Sequence, residues 1–282
     1  METLKGKTAV ITGSSRGLGF AIARALSEQG ANVVLAARTA ETLQSAINTL
    51  KNEGYKAEGF TCNTASLEDV ERLAQEAIAA FGRIDIWVNN AGISAPYGLT
   101  MSISPEWIRK VVETNILGVY YGSHEALGQF VKQGSGKLIN LLGRGDTGPV
   151  PLQNAYASSK AWVKNFTRAL AKEYAGTGVE VMAFNPGLVI TDMLTQVDTI
   201  EGYEEKVLPL NSVIRFWGNM PERPAKKVAW MASSATDSKN GLMVRYFTFD
   251  RMIAGIGKEL WRWITRAPAT KPTIQVHVIK SK

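Results

Sequence analysis

Apolar runs alternate with segments of helical periodicity between residues 8 and 190 of the chain. Residues 8–12 form a short apolar run, and Leu18, Ile22 and Leu26 then recur at helical spacing up to Gly30, a residue typical of a helix end. The strand-like runs are apolar throughout, as strands are when helices cover both faces of a parallel sheet. The pattern predicts an α/β fold: a doubly wound parallel sheet in three αβα layers.

Caps and turn residues set the remaining boundaries. Ser66 with Asp69 predicts a capped helix start, and Ser104 before Pro105 predicts the start of a long helix that ends near Val131. The other predicted strands cover residues 32–37, 57–61, 84–89, 137–142, 179–184 and 242–249, and further predicted helices end near residues 54, 82, 175 and 234. Residues 187–224 contain only short apolar pieces, which indicates a loop or short-helix lid, about 188–223, and no further strand–helix unit.

Composition fits one globular domain with an extension. The 282 residues are 45% apolar and 20% charged, and no apolar run approaches the ~20 residues of a membrane span. The N-terminus lacks the pattern of a secretory signal, and the single cysteine, Cys62, excludes an intrachain disulfide, so we expect a reducing cytoplasmic location. We predict a main domain over 1–250 and a basic C-terminal extension over 251–282.

The extension holds most of the net charge. It carries seven basic residues and one acid, so +6 of the net charge of +7 falls after residue 250. Its basic residues recur on one helical stripe, opposite isoleucines and leucine and flanked by tryptophans. Two interpretations stand: a helix packed on its own domain or a partner subunit, and, less favoured, a helix on an anionic membrane surface. Nucleic-acid binding is not expected, because the charge is confined to this tail. Residues 273–279 alternate apolar and polar side chains, as an added edge strand would.

A glycine-rich turn follows the first predicted strand. The segment Thr12-Gly13-Ser14-Ser15-Arg16-Gly17-Leu18-Gly19 opens the first helix, with three residues between the first two glycines. Glycines at such a turn let the backbone approach a pyrophosphate, which then lies at the positive N-terminus of the helix. The turn predicts dinucleotide binding.

Four further motifs follow in order. They are Asn89-Asn90-Ala91-Gly92 after the fourth strand, Asn115 in the next helix, Tyr156-Ala157-Ser158-Ser159-Lys160, and Asn185-Pro186-Gly187 followed by Thr191. In type, order and spacing the set resembles the short-chain dehydrogenase/reductase family, over residues 4 to 195 and loosely to 250. The resemblance implies a Rossmann fold and an oxidoreductase that uses a nicotinamide cofactor.

The resemblance also implies catalytic roles. Reduction of a carbonyl builds negative charge on oxygen, so a proton donor is needed there, and Tyr156 would supply it. Lys160 lies one helical turn further on, where its charge would favour the tyrosine phenolate. In the family this lysine also holds the nicotinamide ribose, and Asn115 supports a water relay to it.

One family position differs. Relatives carry a serine thirteen residues before the tyrosine, and this chain has Gly143 there. Three explanations remain open: a substrate or backbone group replaces the serine, a side chain such as Arg144, Asp146 or Thr147 does, or the chain is an impaired or non-catalytic relative such as a dinucleotide-binding sensor or scaffold. Arg144 and Asp146 also fit a plain solvated turn.

Cofactor choice is decided at the end of the second strand. An acid there would bind the ribose 2′-hydroxyl of NAD, but the chain has Arg38, with Arg16 as a second cation, and a guanidinium suits a 2′-phosphate. We therefore predict NADP (NADPH) over NAD. The full set expected to bind cofactor is Gly13, Ser15, Arg16, Gly17, Leu18, Gly19, Arg38, Asn63, Asn89, Ala91, Gly92, Tyr156, Lys160, Pro186, Gly187, Val189 and Thr191.

The family places several loops over the nicotinamide, which gives the candidate substrate residues. They are mostly apolar or neutral, as expected for a non-ionic carbonyl or alcohol substrate. They are Gly143, Ser94, Gln153, Leu188 and Met193, with Pro96 and Leu142 beside them. Similar proteins pair through the helices at 105–131 and 154–175, so we expect a homodimer or homotetramer. With only His124 and His277, a metal enzyme is not expected.

Overall fold

A computed structural model describes residues 3–247, 253, 255–257, 261–262, 264–265 and 273–280. Seven parallel strands form the main sheet in the order β3-β2-β1-β4-β5-β6-β8, and β7 pairs with β9 in a separate two-stranded sheet. The strands are β1 (Thr8–Thr12), β2 (Asn32–Ala37), β3 (Ala57–Thr61), β4 (Ile86–Asn89), β5 (Gly136–Leu141), β6 (Val179–Asn185), β7 (Gln196–Ile200), β8 (Met243–Arg245) and β9 (Gln275–Ile279).

Helices cover both faces of the main sheet. One face packs on α1, α2 and α10, around Leu26 and Leu35, and the other on α3, α5 and α6, around Trp87 and Phe130; all four side chains are fully buried. The helices are α1 (Gly17–Ser27), α2 (Ala40–Asn52), α3 (Leu67–Phe81), α4 (Pro105–Val112), α5 (Gly118–Gln133), α6 (Asn154–Glu173), α7 (Asp192–Thr195), α8 (Glu204–Val207), α9 (Pro209–Trp217) and α10 (Glu222–Ala232). The predicted doubly wound, three-layer fold is confirmed.

The two predicted serine caps differ. At the start of α3, Ser66 Oγ accepts a hydrogen bond from Asp69 N at 3.3 Å, whereas Ser104 makes no side-chain cap bond at the start of α4. In a full capping box the Asp69 carboxylate would accept a hydrogen bond from the backbone N–H of Ser66. Here it accepts from Asn63 N at 2.8 Å and so fixes the loop between β3 and α3.

The long helix predicted from Pro105 to Val131 is interrupted. Residues Glu113–Leu117 form a π-helical turn between α4 and α5. The extra residue of a π turn rotates the side chains that follow it, and such turns are frequent at functional sites. Here the turn contains Asn115.

The prediction that the lid contains only loops or short helices was wrong. Strand β7 lies within it, between α7 and α8, and pairs in parallel with β9 of the C-terminal extension, from Gln196 opposite Gln275 to Ile200 opposite Ile279. The alternating segment at 273–279 is thus a strand, but it does not lie at an edge of the main sheet. The last strand predicted for the main sheet, over residues 242–249, is β8, which is shorter than predicted. Residues 248–249 of that prediction lie outside the described residues.

Only part of the predicted tail helix is described. The described residues between 253 and 265 are helical, and Gly255 packs against Trp217 of α9. The described apolar side chains of this helix are exposed: Ile253, Ile256, Trp261 and Ile264. The basic residues Arg251, Lys258 and Arg266 lie outside the described residues, as does the boundary predicted between 250 and 251. No helix in the described ranges is both long and apolar enough to span a membrane.

Candidate active site

A cleft of about 670 Å³ opens at the carboxyl ends of the main strands, next to the point between β1 and β4 where the strand order reverses. Ligands of doubly wound sheets bind at this switch point. Asn90, directly after β4, ties the two strand ends together. Its Nδ2 donates to the carbonyl oxygens of Thr12 and Gly13, both at 2.9 Å.

The glycine-rich turn borders this cleft. Gly13 has a φ of +64°, and a Cβ on Gly19 would lie 2.8 Å from Ser14 Cα, so both positions require glycine. Arg16 at the N-cap of α1 makes no side-chain cap bond, which leaves first-turn N–H groups of this helix without a cap. A glycine-rich turn next to an uncapped helix N-terminus fits the pyrophosphate of a dinucleotide.

The two predicted phosphate-binding arginines are in different situations. Arg38 lines the cleft just after β2, is exposed, and has no carboxylate partner in the described part of the chain. Arg16 Nη1 lies 2.8 Å from Asp192 Oδ2 at the start of α7, and both side chains are exposed. Arg16 therefore links the glycine-rich turn to the lid across the mouth of the cleft.

The Tyr156 hydroxyl lies directly against Gly143. A Cβ built on Gly143 would collide with Tyr156 Oη and come within 3.2 Å of Cζ. The space where a side chain at position 143 would begin is therefore filled by the tyrosine. Burial raises the pKa of the Tyr156 phenol to about 12, and the nearby Tyr97 and Asp146 add to this. That the Lys160 charge favours the Tyr156 phenolate stays a prediction.

Lys160 lies on the same face of α6, one turn after Tyr156. Its Nζ is 5.7 Å from the centroid of the tyrosine ring and donates to Leu141 O at 3.0 Å. The side chain is buried, and loss of hydration lowers its pKa to about 8. A buried ammonium beside a phenol, with a pKa close to neutrality, is suited to proton transfer.

Asn115 is buried and does not line the cleft. Its Oδ1 accepts from Ile93 N, and its Nδ2 donates to Ile93 O and to Ser159 Oγ, at 2.9, 2.9 and 3.1 Å. Gly92 separates this amide from Lys160: a Cβ there would lie 3.4 Å from Asn115 Oδ1 and 3.7 Å from Lys160 Nζ. The side chain joins the loop after β4 to α6.

The residues after Gly143 do not form a plain solvated turn. Asp146 is buried, and its Oδ2 accepts from Arg245 Nη2 at 2.6 Å. Arg144 is exposed and lines the cleft, whereas Asp146 and Thr147 do not line it. The solvated-turn interpretation is therefore wrong for Asp146, because β8 brings Arg245 over it.

Most of the predicted residues meet in this one cleft. Asn89 does not line it: Asn89 is buried, donates to Asn140 Oδ1 at 2.9 Å and Ser123 Oγ at 3.1 Å, and so stabilises the sheet. Pro96 does not line it either. Predicted residues that line it are Gly13, Ser15, Arg16, Gly17, Leu18, Gly19, Arg38, Asn63, Ala91, Gly92, Ser94, Leu142, Gly143, Gln153, Tyr156, Lys160, Pro186, Gly187, Leu188, Val189, Thr191 and Met193.

Asn90 and Tyr97 are among the cleft residues that the predicted set did not include. Asn90 stood in a quoted motif, and its position directly after an apolar strand was a usable signal. Tyr97 lies in a loop without a motif and reaches the cleft because its backbone pairs with β7. In the described ranges, no group of three His, Cys, Asp or Glu side chains is arranged to hold a metal ion.

Comparisons with known proteins agree with this geometry. A family profile described as short chain dehydrogenase matches residues 7–201. The chain is 39% identical over 233 residues to the 3-oxoacyl-[acyl-carrier-protein] reductase of Haemophilus influenzae, covering 82% of this chain and 92% of that protein. It is 34% identical over 245 residues to 3beta-hydroxysteroid dehydrogenase 1 of Eggerthella lenta, covering 85% and 92%. Its structure is similar to gluconate 5-dehydrogenase from Burkholderia cenocepacia in complex with NADP and tartrate, with a TM-score of 0.78 and 25% identity over 90% of this chain and 97% of that chain.

Proposed function

This chain belongs to the short-chain dehydrogenase family, and we propose that it is an NADP-dependent oxidoreductase acting between a carbonyl and a secondary alcohol of a small molecule. The observation that carries the proposal is the pair of half-buried Tyr156 and buried Lys160, set in a cleft at the switch point of a doubly wound sheet. The cleft joins a turn suited to pyrophosphate with a proton-donating group, the two parts that such a reaction needs.

The choice of NADP rests on Arg38. Arg38 and Thr39, and no acid, come directly after β2, and the exposed guanidinium of Arg38 lines the cleft where a 2′-phosphate would lie. Because Arg16 is paired with Asp192, it contributes less than Arg38 unless that pair opens. When bound, NADPH supplies the hydride. The lining residues of the predicted cofactor set would hold it, with Val189 and Thr191 at the carboxamide of the nicotinamide.

The chain's own residues handle the proton. Tyr156 Oη donates a proton to the substrate oxygen in reduction, and its high pKa keeps it protonated until a substrate oxygen gains negative charge. Lys160 stabilises the resulting phenolate and, with a pKa of about 8, can pass a proton on. Asn115 acts as a positioning residue, because its amide joins the Ile93 loop to α6.

The substrate end of the cleft is mostly neutral. Ser94, Gln153, Leu188 and Met193 line it beside Gly143, and Arg144 adds one cation at its rim. Neutral walls favour an uncharged ketone or aldehyde over a carboxylate-rich substrate, since a buried charge requires a partner.

A second candidate function rests on Gly143. The missing hydroxyl at this position is also what a non-catalytic dinucleotide-binding sensor or scaffold would show. Loss of one transition-state donor costs about 10² to 10³ in rate, which weakens catalysis without abolishing it. The intact Tyr156 and Lys160 pair favours the enzyme.

We also propose a homodimer or homotetramer. Val112 and Tyr120, on the interrupted helix from α4 to α5, are exposed, and Trp162 of α6 stacks on Phe166 with ring centroids 4.6 Å apart. Exposed apolar side chains beside a half-buried aromatic pair on a neighbouring helix are typical of a subunit interface. Sedimentation at several protein concentrations tests this.

Turnover tests the enzyme proposal. Purified protein is mixed with NADPH or NADH and with diacetyl, a 3-oxoacyl thioester or a 3-oxosteroid, and the nicotinamide absorbance is followed. We expect consumption of NADPH in preference to NADH. Binding of NADPH without turnover of any carbonyl would favour the sensor.

A further inference from the structure

Because position 143 is a glycine, no side-chain hydroxyl at this position can donate a hydrogen bond to the substrate oxygen. Of the neighbouring side chains, Asp146 is bound to Arg245, and Thr147 does not line the cleft. Arg144 is an exposed cation at the rim. Among these three side chains only the cationic Arg144 lines the cleft, so a neutral donor in place of the hydroxyl has to come from another part of the cleft wall.

Tyr97 is the other phenol in that wall. It lines the cleft together with Gly143 and Tyr156, and it is mostly buried. Burial raises the pKa of Tyr156 to about 12, and Tyr97 adds to this shift. Burial raises the pKa of Tyr97 to about 12, and the Arg144 charge and the Gln153 side-chain amide act in the opposite direction. An amide N–H that donates to the phenol oxygen leaves the phenol proton free to point at a substrate.

The loop of Gln153 is tied to the loop of Tyr97. Gly98 N donates to Leu152 O at 3.1 Å. Leu152 has a φ of 66°, in the left-handed region that a leucine rarely adopts. Such strain persists where surrounding contacts fix it, and it is frequent at functional sites. Here the strained residue comes directly before Gln153.

The backbone of Tyr97 is held by the lid. Tyr97 N donates to Asp198 O at 2.9 Å, and Ile200 N donates to Tyr97 O at 2.8 Å. Both partners belong to β7, which pairs along its length with β9 of the C-terminal extension. Buried Ile274, just before β9, belongs to the apolar cluster against which Tyr97 packs. The extension thus supports the wall that carries Tyr97.

We propose that Tyr97 gives the substrate carbonyl oxygen the hydrogen bond that a hydroxyl at position 143 would give, and that the β7–β9 sheet positions it. This inference rests on the proposed function. In reduction the carbonyl carbon accepts the hydride, the π electron pair moves to oxygen, and that oxygen takes the proton of Tyr156. Tyr97 keeps its own proton throughout.

The test compares Tyr97→Phe with wild type in the full chain, with NADPH and the three carbonyl probes named above. The phenyl ring preserves packing, so a purely structural role predicts wild-type rates. We expect kcat to fall about 10²-fold, as for loss of one oxyanion donor, with NADPH affinity measured by fluorescence unchanged. Wild-type kcat in Tyr97→Phe, with Tyr156→Phe inactive, would overturn this inference and leave the proposed function standing. Absence of turnover by wild type would overturn both.

A second variant tests the support by β9. Ile274→Asp places a charge in the cluster beneath Tyr97, and Ile274→Val keeps the cluster apolar. We expect Ile274→Asp to lower kcat and Ile274→Val to leave it near wild type. Because both changes act through the same hydrogen bond, the double variant Tyr97→Phe/Ile274→Asp should be no slower than Tyr97→Phe. If the fold-losses in kcat of the two single variants multiplied in the double variant, this would contradict a positioning role for β9.

Discussion

The Tyr156 hydroxyl occupies the space beside the Cα of Gly143 into which a side chain at that position would project. The absence of a side chain at position 143 is therefore what allows the Tyr156 hydroxyl to lie where it does. A residue with a Cβ at 143 has to displace the donor.

We predict that Gly143→Ala lowers kcat about 10²-fold, since small displacements of a reacting group have effects of this size. NADPH binding should be retained, because the cofactor-binding turn is untouched. Gly148→Ala is the matched control: a Cβ there meets nothing within 4 Å, so activity should be unchanged. Full activity of Gly143→Ala would show that the hydroxyl position is not critical.

Lys160 is predicted to destabilise the protein. Its folded-state pKa of about 8 lies below the usual 10.5, so the folded state holds fewer protons than the unfolded state between these values. Stability therefore rises with pH across that window, and the full cost, about 3 kcal/mol, is present below pH 8. Lys160→Met removes the charge and also the bond to Leu141 O, which is worth about 1 kcal/mol.

We accordingly expect the Lys160→Met variant to unfold in urea with about 2 kcal/mol more stability than wild type at neutral pH, and to be inactive. The gain should shrink as the pH approaches 10.5, where the lysine is neutral in both states. A gain that does not change with pH would contradict the burial cost.

Arg38→Asp should reverse the preference between NADPH and NADH. The substitution removes the cation that faces the 2′-phosphate and supplies an acceptor for a ribose 2′-hydroxyl. The measurement is the ratio of kcat/KM values for the two cofactors. Arg16→Ala serves as the comparison, and because Arg16 is paired with Asp192 we expect it to change the ratio less. An unchanged ratio in Arg38→Asp would refute the assignment of NADP.

The two serines at helix N-termini should contribute differently to the free energy of unfolding. Ser66→Ala removes the acceptor for Asp69 N and should cost about 1 kcal/mol in the free energy of unfolding. Ser104→Ala removes no cap bond and should cost much less. Equal losses in urea denaturation would show that the bond at Ser66 contributes nothing.

Local patterns predicted the main sheet because its strands are continuous apolar runs between amphipathic helices. They did not predict β7. Its sequence, Gln196–Ile200, is short and part polar, and its partner β9 lies far along the chain. Pairing between distant segments leaves no local signal in a single sequence.

In the site, too, residues close to local sequence motifs could be predicted, and residues placed by tertiary contacts could not. Motif residues close to strand ends reached the cleft, because parallel strands bring their carboxyl ends to one edge. Asn89 did not, since it is the last residue of β4 and its side chain lies inside the sheet–helix layer. Tyr97 and the pairing of Asp146 with Arg245 depend on tertiary contacts. The cytoplasmic location stays a prediction.

The most direct test of the proposed oxidoreductase is the rate of NADPH consumption with the carbonyl panel, for wild type and for Tyr156→Phe. We predict turnover by wild type and its near-complete loss in the variant, with NADPH binding equal in both. Equal turnover in both proteins, or NADPH binding with no turnover in either, would contradict an oxidoreductase that uses Tyr156 as its proton donor.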